Sequence, residues 1–387
     1  MKFKQLYISL LVICLASLHF ATKAETPAFY VEVPYTTING KIIIEARVEG
    51  IPGKFIFDTG APTYITYSLA QRLSLKASGT QGILDAHNQS MTLEKAQLKR
   101  LSMGVEPGIN IEDIPVTIMP QGHLIEQFGV VGMVGCDLFP GAVVRIDSRQ
   151  KKIIITDNIS PFHINLRNRL PLIRVQGQIP FIELNVGVGV IETVMFDSGS
   201  GAFYEMTTAT AAEALRENAA ELLAKGYGSS GIGMAGEASA GERNLIRLPE
   251  LRVSTGRFHD IVTESMSAPY SRLGSRLLDY GTVTLDYASN AFYFEPFEST
   301  SRDLHEKKWN VDFTVADGHV VVACVWGDLV GKIFPGERLL KIDGEPVGEV
   351  NVADALQSSL VKIKNEKAVI TVLRRDGTEV EVAIEKK

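Results

Sequence analysis

The sequence predicts a mainly β protein with two related β lobes followed by a small α+β unit. The first observation is a repeated pattern, at residues 58–60 and 197–199, in which a short apolar run ends in Asp, a hydroxyl residue and Gly. The second is that both copies, 139 residues apart, have a further Asp 89 residues downstream, Asp147 and Asp286. The third is a series of strand and turn signals after residue 305. A period of 139 residues is too long for a stacked repeat and indicates a duplicated lobe.

The repeated motif places a carboxylate at the end of a buried strand. Asp58 follows the apolar run 55–57, and Asp197 follows the run 194–196. A run of this kind predicts a buried strand, so each Asp is held at the mouth of a sheet. Two such residues, one from each lobe, can meet face to face, as a carboxylate pair acting on water requires. Asp58 and Asp197 are therefore the candidate catalytic residues.

The two residues after each Asp are candidates for supporting this site. The hydroxyl groups of Thr59 and Ser198 can hydrogen-bond the carboxylates or the nearby backbone. Gly60 and Gly199 allow a sharp turn and a close approach of other groups. We expect these four residues to hold the pair of Asp side chains in place.

The first lobe is assigned to residues 25–160. Its sequence predicts strands within residues 29–57, a short helix over residues 68–73 and a hairpin over residues 81–100. The hairpin carries several polar residues near its tip.

Four other polar residues are predicted to have ordinary structural roles. Asp147 and Asp286 each lie between two strands and are predicted to be turn residues. His87 is predicted to be solvent-exposed in its hairpin. Asp85 can touch a substrate, but an ordinary hairpin residue is favoured.

The second lobe is assigned to residues 161–297 and repeats this plan with two differences. A longer helix is predicted over residues 207–225, because this stretch is rich in Ala, Glu and Leu and Gly226 provides a stop. The glycine-rich residues 226–241 then predict a mobile loop or hairpin over a cleft.

A polar linker over residues 296–308 leads to the third unit, assigned to residues 305–387. Its predicted elements are strands near residues 309–313 and 320–325, a helix over residues 352–360, and a hairpin whose strands cover residues 368–373 and 379–384.

Composition excludes several classes of function. The chain has 387 residues, a formal charge of −6 and no basic stripe, which argues against nucleic acid as a partner. The seven histidines are scattered, and no CxxC or HExxH motif occurs, so neither a metal nor another cofactor is predicted. Cys136 and Cys324 are expected to be buried small side chains rather than a disulfide.

The N-terminal residues predict a secretory signal. Lys2 and Lys4 precede an apolar stretch over residues 7–20, and small residues at positions 22 and 24 fit a cleavage site after Ala24. Residues 1–24 are therefore expected to be removed, and the protein is expected to be periplasmic or secreted. An uncleaved membrane anchor is the alternative, and only then is a membrane contact expected.

The two Asp-Thr/Ser-Gly strands, each followed by an apolar-apolar-Gly stretch, resemble the retropepsin/pepsin class of aspartic peptidases. That stretch is residues 133–135 in the first copy, whereas the second copy, residues 272–274, has an arginine at its first position. The resemblance covers roughly residues 30–296. It implies two retropepsin-like lobes that form a pepsin-like bilobal unit, a cleft between them and a flap hairpin at residues 82–91.

The third unit resembles a bacterial PDZ module. Residues 336–347, with the sequence Gly-Glu-Arg-Leu-Leu-Lys-Ile-Asp-Gly-Glu-Pro-Val, are similar to a segment of those modules. The resemblance implies a PDZ-like α+β fold with a peptide as candidate ligand. The usual carboxylate-binding loop is not evident near residues 318–322.

Together these resemblances imply an exported aspartic endopeptidase that acts on peptide or protein substrates. Asp58 and Asp197 would activate a water molecule held between them, without a metal or other cofactor, and the PDZ-like unit would recruit substrate or regulate. Two other classes stay open: a catalytically inactive peptide-binding protein that keeps the cleft, and a scaffold that acts through its PDZ-like unit. The intact pair of Asp residues favours the enzyme.

Overall fold

The computed structural model describes residues 28–175, 177–187, 189–351 and 360–387. The predicted signal at residues 1–24 and nearly all of the helix predicted over residues 352–360 lie outside the described residues. Within these ranges, no helix has the length and apolar character needed to cross a membrane.

The described residues confirm a mainly β protein, with strands numbered here in chain order. The strands of the first lobe are β1 Tyr30–Ile38, β2 Lys41–Val48, β3 Ile51–Phe57, β4 Tyr64–Ile65, β5 Gly79–Leu84, β6 Ser90–Met103, β7 Ile109–Ile118, β8 Gly132–Val134, β9 Val143–Asp147 and β10 Lys152–Thr156. Those of the second lobe are β11 Arg169–Pro171, β12 Ile173–Val175, β13 Ile179–Val186, β14 Val190–Asp197, β15 Tyr204–Thr207, β16 Glu221–Gly228, β17 Ile232–Gly233, β18 Gly236–Glu237, β19 Gly241–Val253, β20 Gly256–Met266, β21 Arg272–Gly274, β22 Gly281–Asp286 and β23 Ala291–Pro296. The remaining strands are β24 Ser301–Asp303, β25 Val311–Ala316, β26 His319–Trp326, β27 Arg338–Ile342, β28 Glu345–Pro346, β29 Lys367–Leu373 and β30 Glu379–Glu385.

Helices are few in the described ranges. The α-helices are α1 Tyr67–Arg72 and α2 Thr208–Arg216, and the short 3₁₀ helices are Leu124–Phe128, Cys136–Leu138, Ser160–Phe162, Leu166–Asn168, Ser275–Asp279 and Gly327–Leu329. The predicted helix over residues 68–73 corresponds to α1 and is confirmed.

The same strand arrangement occurs twice and presents one Asp each time. In the first lobe β2 and β3 form an antiparallel pair, and β3 then pairs in parallel with β8. In the second lobe β13 and β14 form the antiparallel pair, and β14 pairs in parallel with β21, where Asp197 lies opposite Gly274. The buried side chains of β3 and β14 include Phe55, Phe57 and Phe196, all fully enclosed. These apolar residues hold the strand ends, and thus the two Asp residues, in fixed positions.

A shared sheet connects the lobes away from the Asp residues. In the order β11-β23-β22-β9-β10-β1, three strands of the second lobe are followed by three strands of the first within one sheet. The junction is the antiparallel pair of β9 and β22, in which Ile146 lies opposite Val283. Both side chains are fully buried, so this junction is part of the protein core.

The third unit has its own core but shares a sheet with the second lobe. Its buried cluster includes Val322, Leu339 and Ile370. Strand β26 also pairs with β16 of the second lobe, with Trp326 opposite Gly226. The indole of Trp326 is 1% exposed and packs in a small cluster with residues of both units. The boundary at residue 305 stays a prediction, and the sheet is continuous across it.

The long helix predicted over residues 207–225 is wrong. Thr207 caps α2, but the helix ends at Arg216, and Asn218 adopts a left-handed backbone conformation with φ of 54°. Residues 221–228 then form β16, where Leu222 lies opposite Ile246 of β19. Pairing with β19 on one side and β26 on the other outweighs the helix propensity of this Ala- and Leu-rich stretch.

The predictions for the repeated downstream Asp residues and for the cysteines are confirmed. The carboxylates of Asp147 and Asp286 each accept hydrogen bonds from the backbone N–H groups two and three residues further on, as turn residues do. Cys136 and Cys324 are buried and form no disulfide.

The junction between β16 and β26 predicts different effects for two glycine substitutions in the same hairpin. A Cβ atom at Gly226 would lie 2.3 Å from the Trp326 ring, whereas at Gly241 nothing lies within 4 Å. We expect Gly226→Ala to lower the free energy of unfolding by about 1–3 kcal/mol because the core is overpacked. The control Gly241→Ala should change it by less than about 0.5 kcal/mol. Denaturant unfolding of both variants measures this, and equal stabilities would contradict the described packing.

Candidate functional site

The structure brings Asp58 and Asp197 together on the floor of a cleft between the lobes. Asp58 directly follows β3, and Asp197 ends β14. Each residue is 7% exposed, and both line a cleft of about 1430 Å³. The carboxyl group of Asp197 is close enough to Asp58 to share a hydrogen bond and to repel its negative charge. The sequence analysis predicted this pair.

The glycine after each Asp lies against the carboxylate of the other lobe. The N–H of Gly60 donates to Asp58 Oδ1 at 2.8 Å, and that of Gly199 donates to Asp197 Oδ1 at 2.9 Å. A Cβ atom at Gly60 would lie 2.8 Å from Asp197 Oδ1, and one at Gly199 would lie 2.2 Å from Asp58 Oδ2. Larger residues at either position would force the carboxyl groups apart.

Thr59 and Ser198 cross-link the two lobes below the carboxylates. Thr59 Oγ1 donates to the carbonyl oxygen of Phe196 at 2.7 Å, and Ser198 Oγ donates to that of Phe57 at 2.9 Å. Each hydroxyl oxygen also accepts the backbone N–H of the opposite residue at 3.0 Å. Both side chains are completely buried. These four bonds fix the strand ends at one separation, and the two hydroxyls bond backbone rather than the carboxylates.

The environment of Asp58 favours its protonated form. Burial is the largest cause that raises the pKa of Asp58 well above its ordinary value, and the charge of Asp197 is the second. The nearby ammonium of Lys41 and the N–H of Gly60 act in the opposite direction but do not cancel this effect. The pair therefore retains a proton to a higher pH than an isolated carboxylic acid does.

Three charged residues beside the pair were not predicted from the sequence. Lys41 Nζ donates to the carbonyl oxygen of Gly199 at 2.5 Å. Arg272 Nη1 lies 4.0 Å from Asp197 Oδ2, and its Nε lies 3.1 Å from Glu205 Oε2. Arg272 is the residue that breaks the apolar-apolar-Gly pattern at residues 272–274, and this departure was the sequence signal that could have identified it. Lys41 starts an ordinary strand, and nothing in the sequence marks it.

Two hairpins meet above the cleft. The turn between β5 and β6 contacts the segment that contains β17 and β18. Asp85 Oδ2 accepts the N–H of Ala235 at 3.0 Å, and His87 Nδ1 lies 3.0 Å from Ser230 Oγ. The prediction of a hairpin from the glycine-rich tract is confirmed, as is the hairpin predicted within residues 81–100.

The predicted exposure of His87 is wrong. The residue is 7% exposed because the second hairpin covers it. Burial, and then the charge of Arg272, lower the pKa of His87, so its ring stays neutral at neutral pH. Asp85 is also buried and accepts the backbone N–H groups of His87 and Gln89 in addition to that of Ala235. Its role in this structure is to join the hairpins.

Among the described residues, no group of three or more His, Cys, Asp or Glu side chains is arranged to hold a metal ion. The cleft floor carries a buried carboxyl pair that can share a proton.

Residues 44–136 match the family described as aspartyl protease. No curated protein matches the chain. The family match begins within β2, includes Asp58 and ends at Cys136, so this part of the chain is similar to an aspartyl protease domain. Asp197 lies beyond the match.

The hydrogen bonds of the Thr59 hydroxyl predict that Thr59→Val and Thr59→Ser change the stability of the protein by different amounts. Thr59→Val keeps the shape but removes the hydroxyl, which leaves the Phe196 carbonyl and the Ser198 N–H without their partners. We expect it to lower the free energy of unfolding by about 1–3 kcal/mol for each unsatisfied group. Thr59→Ser keeps the hydroxyl and should cost less. Urea unfolding measures both, and equal losses would contradict a role for these bonds.

The raised pKa of Asp58 predicts a pH-dependent gain in stability on Asp58→Asn. Because this pKa is higher in the folded than in the unfolded chain, wild-type stability falls as pH rises above about 4, the unfolded value. The advantage of the Asn variant should therefore grow with pH, by at most about 1.4 kcal/mol per unit, until the folded pKa is passed. Denaturant unfolding from pH 4 to pH 8 tests this. The exposed residue Asp113 offers a control, since Asp113→Asn makes the same substitution outside the cleft.

Proposed function

We propose that the protein is an exported aspartic endopeptidase in which Asp58 and Asp197 form one catalytic dyad. The observation that carries this proposal is the contact of two buried carboxyl groups, from equivalent strand ends, on the floor of a large cleft. The aspartyl protease match over residues 44–136 supports the class of chemistry. A carboxyl pair of this kind can activate a water molecule to hydrolyse a peptide bond without a covalent intermediate.

The two carboxyl groups of the dyad would have different catalytic roles, set by which of them carries the shared proton. The carboxyl that holds the shared proton would donate a hydrogen bond to the scissile carbonyl oxygen. The other, ionised carboxyl would take a proton from the attacking water. The proton on the first carboxyl would stabilise the negative charge that develops on the carbonyl oxygen, and the proton taken from the water would pass to the leaving amine.

The proposed architecture is a pepsin-like pair of lobes, at residues 25–160 and 161–297. The repeated strand arrangement and the cross-links between Thr59 and Ser198 support it. The two hairpins above the cleft are joined by polar contacts, including the one between Asp85 and Ala235. A substrate chain must enter from the ends of the cleft or separate these hairpins, and once it is bound they would exclude bulk water.

Export and the third unit complete the proposal. The signal pattern at residues 1–24 supports a periplasmic or secreted location. Residues 305–387 would be a PDZ-like module that recruits substrate or regulates cleavage. The pairing of β26 with β16 supports a regulatory role, because β16 leads directly into the hairpin above the cleft. A peptide held by the module would thus be bound to the unit that pairs with β16.

Cleavage of a denatured protein by the purified chain tests the dyad. We expect Asp58→Asn and Asp197→Asn each to lower kcat/KM by at least about 10³-fold, and the double variant to be little worse, because the two residues act as a unit. Asp147→Asn is the matched control, since Asn keeps the oxygen that accepts the turn hydrogen bonds. Full activity in Asp197→Asn would refute the dyad and favour pairing of Asp58 across two chains.

The pH profile is a second test of the same proposal. Activity requires one proton on the pair, so kcat/KM should follow a bell-shaped curve. Because the pKa of Asp58 is raised, the falling limb should lie near or above neutral pH rather than at acid pH. Measurements from pH 3 to pH 9 on one peptide substrate give both limbs. A falling limb below pH 5 would contradict the raised pKa.

A further inference from the structure

The two walls of the cleft differ at one equivalent pair of residues. In the first lobe, β4 and β8 pair with Tyr64 opposite Met133. In the second lobe, β15 and β21 pair with Glu205 opposite Arg272. All four side chains line the cleft, and each pair lies beside the Asp of its own lobe. The duplicated fold thus presents an apolar pair on one side of the dyad and an ion pair on the other.

The wall of the first lobe is apolar well beyond this pair. Tyr64 belongs to a buried cluster with Ile56, Ile125 and Phe128, against which Met133 also packs. All five residues line the cleft. A concave apolar surface of this kind favours a large apolar side chain, because binding removes both surfaces from water.

The wall of the second lobe offers a hydrogen-bond donor instead. Arg272 is 6% exposed and forms an ion pair with Glu205, in which Nη2 donates to Oε1 at 3.2 Å, whereas Nε lies 3.1 Å from Oε2 without a hydrogen bond. Ser200 Oγ donates to Glu205 Oε2 at 2.6 Å, which holds the carboxylate in this orientation. The third nitrogen, Nη1, lies 4.0 Å from Asp197 Oδ2, too far for a hydrogen bond. Within the described part of the chain, Nη1 has no acceptor at hydrogen-bond distance.

An apolar substrate side chain placed against this donor would remove it from water without providing an acceptor. A side chain with a carboxylate or amide oxygen would complete the hydrogen bonding of Arg272. Because Glu205 already balances the charge of Arg272, the ligand group that fits here needs an acceptor oxygen but does not need a negative charge. Glutamine and glutamate side chains therefore share the chemistry that fits.

We propose that Glu205 and Arg272 make the second-lobe side of the cleft selective for a substrate side chain with a carboxylate or amide oxygen, while the first-lobe side selects a large apolar side chain. This inference rests on the proposed peptidase function and deepens it. The preferred scissile bond then joins one large apolar residue and one residue such as Gln or Glu.

Binding of non-cleavable peptides tests this without relying on catalysis. The probes are peptides with a statine-type hydroxyl group in place of the scissile bond, flanked by Leu–Gln, Leu–Glu or Leu–Leu, and the first two also in reverse order. We expect the wild-type protein to bind a mixed probe, in one of the two orders, about 10- to 100-fold more tightly than Leu–Leu, because an apolar side chain buries the Arg272 donor without an acceptor. Calorimetric Kd values give the ratio, and the Gln and Glu probes distinguish the amide from the carboxylate.

A double variant provides the second measurement. Glu205→Tyr with Arg272→Met copies the first-lobe pair, and replacing a buried ion pair by apolar residues often leaves folding intact. We expect it to bind Leu–Leu more tightly than the mixed probes. The matched control exchanges the same residue types in an ion pair outside the cleft, Glu306→Tyr with Arg276→Met, and should keep the wild-type preference.

The outcomes separate this inference from the proposed function. Equal or tighter wild-type binding of Leu–Leu would overturn the inference, as would a polar preference that survives in the double variant. The wild-type comparison stands alone if the double variant does not fold. Selective binding without any Asp58-dependent cleavage would overturn the peptidase function and leave the selectivity in place. Asp58-dependent cleavage without selectivity would overturn the inference alone.

Discussion

The reciprocal hydrogen bonds between Thr59 and Ser198 are the constraint on which the site depends. A pair of buried carboxyl groups repel one another once both are ionised, and nothing in a carboxylate pair itself holds two lobes together. The two hydroxyls join backbone to backbone directly beneath the Asp residues and bury every polar group they use. The site is therefore held by neutral hydrogen bonds, which do not change as the carboxyl groups gain or lose a proton.

Above this symmetric base the charges are not symmetric. Lys41 contacts the backbone beside Asp58 from one lobe, while Arg272 and Glu205 lie next to Asp197 in the other. The repeated strand arrangement supplies two equivalent positions, and the residues around them give each position its own electrostatic surroundings.

Sequence patterns predicted the parts of the molecule that local signals specify. The apolar runs before Asp58 and Asp197 and their equal spacing to downstream partners identified the duplicated strands and the pair itself. The same local signals failed for residues 221–228, which are helical in composition but are paired with strands distant in the sequence. The burial of His87 and the position of Arg272 likewise depend on contacts between the lobes, which no spacing within one lobe reveals.

The sheet shared by the lobes has a consequence for the order of events during synthesis. Strand β22, which pairs with β9 and so joins the lobes, ends at Asp286, 89 residues after Asp197. A nascent chain therefore contains both acidic residues long before it contains the strands that complete the frame around them. The frame that joins the two halves of the site can therefore close only after residue 286 has been synthesised.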